Sequence, residues 1–411
     1  MGSYPHSVSH GCHGGVAGMK RSEMRKIRHG IGVFVIALLL GSPALAFHKQ
    51  APTVLQLTIA GDTDLPRIPA QGRRAMSLTR ENGADTQAIS LLPFKTGSHA
   101  TILAPSGANT EPTASFSGRV FAWETDADPL LTGAPGVQVV LESKGDLLQP
   151  IVDPTGTSAN PSLDKSGRII VFDSEGDLAG QGSTSRQIFL VDKNGFATQV
   201  SSGDGDSSKA MLSPKQRRIT FESTSDSVSG ADTGVTQIWA GVITDLPAKP
   251  ITNGAGPSSN ALLSDDGRLV TFQSTADLAG DGADTGVPQI FIWDTRSGTY
   301  AQITDDPSGC VRPAGAKIRR DWRITFVCAG NAYYFMLREN QRYQVLTPGG
   351  TTQAMAPEMG AHFVTLSTTA DLLSGGTTTG HQIFMVNLFK QPAVPVPGSA
   401  VWFPEQGITG F

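Results

Sequence analysis

The sequence predicts an all-β chain, a β-propeller of six or seven four-stranded blades with seven preferred. Three observations lead there. A strand-sized run ending in an aromatic or leucine anchor recurs at Trp123, Phe172, Phe221, Phe272, Phe326 and Leu366, at spacings of 49, 49, 51, 54 and 40 residues. A Gly/Ser/Asp loop follows most of these runs and leads to a second run of the form Gln-Ile-Phe, as at 187–189, 289–291 and 382–384. Turn residues separate short β-branched and aromatic runs, and helical periodicity is almost absent.

The elements follow in chain order. Residues 1–46 read as a leader and secretory signal peptide. A basic stretch at 24–28 precedes an apolar run at 31–40, and the segment ends in an Ala-x-Ala pattern with cleavage expected after Ala46. The apolar run is too short to span a bilayer comfortably. Residues 47–65 form an N-terminal extension, 66–390 the propeller, and 391–411 a Pro-rich C-terminal strap. A propeller must close its ring, since an open blade leaves an unpaired strand edge. Residues 53–58 and 400–403 are the two candidate closing strands. The stretch 392–397, with its alternating prolines, fits only an edge strand or an extended strap.

Within a unit, the first strand is a segment such as 160–163 or 260–263. A tight turn with glycine follows, at 164–167 or 264–267, then the anchor strand, the Gln-Ile-Phe strand and a fourth at 197–200 or 301–304. A degenerate seventh unit is expected at 74–78 with 87–91. These repeats, in the pattern Ser-x-Asp-Gly-Arg before the anchor and Gln-Ile-Phe after it, resemble the TolB-type β-propeller of bacterial envelope proteins over roughly 66–390. The family's usual Trp before the turn is replaced here by Leu163, Leu212 and Leu263. The resemblance implies a propeller-only relative, because 47–65 is too short for the α/β domain that precedes TolB's propeller. It implies an interaction role in the cell envelope.

Charge narrows the partners. The leader takes five of the 32 basic residues and one of the 36 acidic ones, leaving 27 and 35 and a net of −8. An acidic surface disfavours nucleic acid and anionic membrane. The expected product is a periplasmic or secreted monomer, without stable membrane insertion after cleavage. It would bind a protein or peptide at the channel face. The alternatives are a carbohydrate-binding or carbohydrate-active propeller and a purely structural protein.

The acidic loop at 277–286 raises a metal question. Asp277 aligns with Asp177, Asp226 and Asp371, and an Asp recurring in several blades reads as a turn former. Asp281, Asp284 and Asp232 do not recur in this way, so weak calcium binding is the alternative there. They lack the spacing of a calcium loop, and no cofactor is expected. Cys310 and Cys328 flank a hairpin centred near residue 319 and are expected to form a disulfide. The histidines after the leader, His48, His99, His362 and His381, build no catalytic motif, and neither a Gly-x-Ser-x-Gly elbow nor a His-Glu-x-x-His pair occurs. The chain is therefore expected to be no enzyme.

Overall fold

The computed structural model describes residues 107–214, 217–280, 286–318 and 321–346 continuously, and shorter strands at 54–57, 62–67, 74–80, 87–93, 101–104, 355–359, 363–369, 382–387 and 394–395. The fold is an all-β propeller. Its repeating unit is an antiparallel meander in which strand order along the sheet equals strand order along the chain.

The expected six or seven four-stranded blades are corrected to five. These five meanders span 62–104, 109–148, 159–199, 207–250 and 258–302. The two remaining sheets depart from the unit. One carries Cys310–Ile318, Asp321–Cys328, Asn331–Met336 and Gln341–Leu346, with Val394–Pro395 added as a fifth strand. The other has three consecutive strands, Met355–Met359, Phe363–Thr368 and Gln382–Asn387, and takes its fourth from Val54–Gln56. The anchor count missed this because an anchor marks only the second strand of a sheet. It says nothing of how many strands follow, or from which chain end they come. Pro395 sits on an outermost strand, where its missing N–H costs no ladder bond. Residues 400–403 lie outside the described residues.

First strands of successive sheets touch one another, and the series closes: 62–67, 109–114, 159–163, 207–212, 258–263, 310–318 and 355–359, then back to 62–67. They therefore encircle the axis. The anchors fill the space between sheets. Phe221 packs with Val171 and Ile188 of the preceding blade, Trp123 with Ile89 and Leu91, and Phe326 with Ile290 and Ile292. Trp123, Phe172, Phe221, Phe272 and Phe326 are essentially inaccessible to solvent. Burying a side chain of this size contributes about 1.5–3 kcal/mol, so this set supplies much of the lateral cohesion. Phe221 also stacks on Trp239 of its own blade at 6.0 Å.

The glutamine that begins each Gln-Ile-Phe strand splices that strand to the chain entering the next blade. Gln187, Gln237 and Gln289 accept from Ser201, Thr252 and Thr304 at 2.6, 2.6 and 2.8 Å. The same hydroxyls accept from the amides of Ile188, Ile238 and Ile290. The glutamine amide groups donate to the carbonyls of Gly203, Gly254 and Asp306. This accounts for the residue type in the motif: one side chain must both accept and donate. In the turn between the first two strands, Gly267 holds a φ of +68°, and a Cβ there would lie 2.8 Å from the Arg218 side chain. Arg217 fills the corresponding left-handed position one blade earlier, with a φ of 52°.

Cys310 and Cys328 face each other across the first hairpin of the strapped sheet and are joined by a disulfide. The bond is buried, and Trp322 and Phe335 belong to the same apolar cluster. Replacing both cysteines by alanine should lower unfolding stability by roughly 3 kcal/mol, the value for a loop of this size. A denaturant midpoint unchanged from the parent protein would contradict this.

Candidate functional site

Each first strand breaks register at the same place. The shift falls between Thr110 and Thr113, Ala159 and Ser162, Ser208 and Met211, Ser259 and Leu262, and Val311 and Ala314. It recurs between Asp64 and Arg67 and between Met355 and Glu358. At each of the first five bulges one non-glycine residue is left-handed: Glu111, Asn160, Lys209, Asn260 and Arg312, with φ between 42° and 56°. Because seven first strands surround the axis, these five residues occupy five successive positions of an axial ring.

The ring is held by a second set of residues, one position after each anchor. Glu124 accepts from the Asn160 amide at 2.6 Å, Asp173 from that of Lys209 at 3.1 Å, Glu222 from that of Asn260 at 2.7 Å, and Gln273 from that of Arg312 at 2.9 Å. Every one of these bonds crosses from one blade to the next. The acids also reach the first strand of their own blade. Thr110 donates to Glu124 at 2.6 Å, the Asn160 side-chain amide donates to Asp173 at 2.9 Å, and Lys209 Nζ lies 3.3 Å from Glu222. A bulge leaves its extra residue outside the ladder, and a buried N–H without an acceptor is costly. The neighbouring carboxylate supplies the acceptor.

Burial governs the electrostatics. It pushes the Glu124 carboxyl up, against hydrogen bonds from Thr110 and Asn160, and the nearby charges of Glu111 and Asp173 push it further. Burial also raises Asp173, and the Arg186 guanidinium 2.7 Å away offsets only part of that. Arg186 bridges outward to the exposed Glu175 at 2.9 Å. Asn160 thus sits between two buried acids, donating its backbone N–H to one and its side chain to the other.

The sequence-predicted residues fall elsewhere. Asp177, Asp226 and Asp277 hold their own loops, accepting from amides two to five residues ahead. Asp128 does the same for Thr132 and Gly133. Asp232 is exposed and accepts from the Gly234 amide. Asp281, Asp284, Asp371, Ala46 and the four histidines lie outside the described residues. Among the described residues, Asp306 with Cys310 and Cys328 forms a compact group of ligand-type atoms. Its two sulfurs are tied up in the disulfide, so it offers no thiolate. No described helix is long and apolar enough to cross a membrane. A disulfide is rare in cytosolic proteins and common beyond the membrane.

The axial ring went unread because its residue types vary. Two signals mark it. Proline follows the bulge residue at Glu111-Pro112, Asn160-Pro161 and Arg312-Pro313, and an acid or amide follows the anchor at Trp123-Glu124, Phe172-Asp173, Phe221-Glu222 and Phe272-Gln273.

No family model matches the chain, and no curated protein matches it. Solved structures do. The β-propeller domain of the Trilobed protease from Pyrococcus furiosus matches with a TM-score of 0.57 and 9% identity, over 82% of this chain and 98% of that one. An oligogalacturonate lyase in complex with manganese matches at 0.56 and 12%, over 82% and 93%. TolB from Acinetobacter baumannii matches at 0.45 and 13%, over 81% and 66%, a score too low to carry an argument. At these identities the likeness is one of fold.

One expectation is overturned. A protease and a lyase share this fold, so missing linear motifs do not set catalysis aside, and the expectation of no enzyme falls. The physical reason is that a propeller gathers groups from separate blades at its axis, where no local sequence motif is needed.

Two tests follow from this geometry. Glu222→Ala strands the Asn260 amide and the Lys209 ammonium and should cost about 1–3 kcal/mol of stability. Glu222→Gln keeps the acceptor, as Gln273 does, and should cost less. Equal losses in the two variants would mean that the bond to Asn260 is immaterial. The second test concerns Asp128, Asp177 and Asp226, whose backbone donors hold them below the ordinary aspartate value of 3.8. Their contribution is therefore present above that value and lost as pH falls through the lower folded midpoints. Carboxyl-carbon NMR titration should give midpoints under 3.8 for all three, and a midpoint at or above it would remove the capping role.

Proposed function

We infer that the protein is an exported β-propeller of the bacterial cell envelope that binds a peptide or protein segment at the axial end of its first-strand ring. The observation carrying this reading is the ring itself. Five non-glycine residues are kept in left-handed backbone at the axis, each costing roughly 1–2 kcal/mol of local strain. The amides of four of them, Asn160, Lys209, Asn260 and Arg312, are fixed from the neighbouring blade, so these side chains are presented on a rigid frame. Preorganised polar groups around a common axis lower the ordering cost of binding. The disulfide and the signal-like leader favour an oxidising compartment, periplasmic or extracellular.

Site-specific photo-crosslinking tests this reading. A benzophenone side chain at Asn260, on the ring, should capture a peptide or protein in intact cells, whereas one at Lys249, on an outer strand, should not. Capture from Lys249 alone would contradict an axial site.

A second reading, a carbohydrate-active propeller, is favoured by one observation: Glu124 and Asp173, both raised by burial, share the Asn160 bridge. Under it, the protein releases reducing or unsaturated ends from a polysaccharide panel and Glu124→Gln abolishes the release. No release by the parent protein removes this reading.

A further inference from the structure

The acids that hold the ring do not continue around it. The position after the anchor is Glu124, Asp173 and Glu222 in three successive blades, then Gln273, then Val327 in the strapped sheet. The cations at or beside the ring follow the same series. Arg186 pairs with Asp173 and Glu175, and Lys209 pairs with Glu222. Arg312 has an amide, Gln273, on the blade before it and a valine, Val327, in the equivalent place on its own sheet. No carboxylate among the described residues pairs with its guanidinium, and its side chain is exposed. Its backbone is nevertheless held as firmly as the others, by a φ of 56°, by Pro313 and by the bond from its amide to Gln273.

We propose that Arg312, with Asn260 on the adjoining first strand, is a subsite for an Asp or Glu side-chain carboxylate of the bound peptide. This rests on the axial peptide-binding reading and adds its chemistry. A guanidinium takes a carboxylate through two parallel hydrogen bonds, and such charge-assisted bonds are roughly twice as strong as neutral ones. The rest of the ring selects against a polyanion. Glu111 lies on it, and the acids Asp173, Glu175 and Glu222 outnumber the two cations paired with them, Arg186 and Lys209. Among the described ring residues Arg312 is the one cation without a carboxylate partner, and it therefore accepts a single anionic group. A chain carrying many, such as a nucleic acid or a polyuronate, is repelled by the remainder.

The test uses the full-length protein and three fluorescent probes: a C-terminally amidated eight-residue glycine–serine peptide carrying one glutamate, its counterpart with glutamine at that position, and a trigalacturonate. Binding is followed by anisotropy at low and moderate salt. The acidic peptide should bind at least about tenfold more tightly than its glutamine counterpart, and Arg312→Gln should remove that preference. Arg312→Lys, which keeps the charge but loses the fork, should retain part of it. Both variants should melt with the parent protein, since the Arg312 amide bond to Gln273 survives them. If Arg312→Gln binds the acidic peptide as the parent does, the subsite is overturned while axial peptide binding stands. If neither peptide binds and trigalacturonate does, both the subsite and the peptide reading fall in favour of the carbohydrate one.

Discussion

A first strand at the axis has little room, and in this protein every one of them, where the register is described, inserts an extra residue. In five of the seven that residue turns left-handed, and its amide leaves the ladder. Everything around the axis follows from the need to give that amide an acceptor. The nearest source is the second strand of the preceding blade, one residue past the aromatic anchor. A carboxylate there does two jobs, reaching the first strand of its own blade and the bulge of the next; Gln273 does the second. The hydrogen bonds therefore run round the axis from blade to blade, at right angles to the ladders inside each sheet. Apolar anchors press the sheets together without direction, and these polar bonds fix the angular register.

The same arithmetic explains why the two terminal sheets are built differently. A ring held by neighbour-to-neighbour contacts has no tolerance for an open side. The sheet with only three consecutive strands takes Val54–Gln56 from the other end of the chain, with Leu57 adding a further bond to the Ile383 carbonyl. The strapped sheet is widened at its outer edge, where Tyr343 and Gln344 meet Pro395 and Val394. Its inner hairpin is braced by the buried disulfide. Covalent and chain-end devices thus gather where the repeat is least regular, and the five plain meanders between rely on anchors and glutamine splices.

Much of this was legible in the residues. The anchors, the Gln-Ile-Phe strands and the glycine turns are set by local packing and local backbone geometry, so they repeat visibly. The loop aspartates repeat for the same reason, and Asp128 belongs with them. The axial ring was not legible in this way. Its positions are defined by a backbone property, left-handedness at a bulge, which Glu, Asn, Lys and Arg all meet. Its partners lie 36 to 39 residues away on another blade. Blade number was misjudged for a related reason. An anchor reports the second strand of a sheet, while the outermost strands are short, half-exposed and chemically plain, as at Asp146–Leu148 and Ala197–Gln199.

Structure and function meet at the point where the repeat stops being a repeat. A perfectly regular ring of acids would give an axis of uniform charge, able to bind but not to orient. Here the series Glu, Asp, Glu gives way to Gln and then Val, and each change alters the charge without removing the strand or its bulge. The acceptor role survives in Gln273 because an amide oxygen serves an N–H as a carboxylate does. The neutralising role, which Glu222 plays for Lys209 on its own blade, is lost at the equivalent Val327 beside Arg312. Keeping one role while dropping the other is a difference that stability alone does not demand. Among the described residues the axial end then carries Arg312 on one side and the acids on the other, and a ligand with a single carboxylate lies across it in one direction.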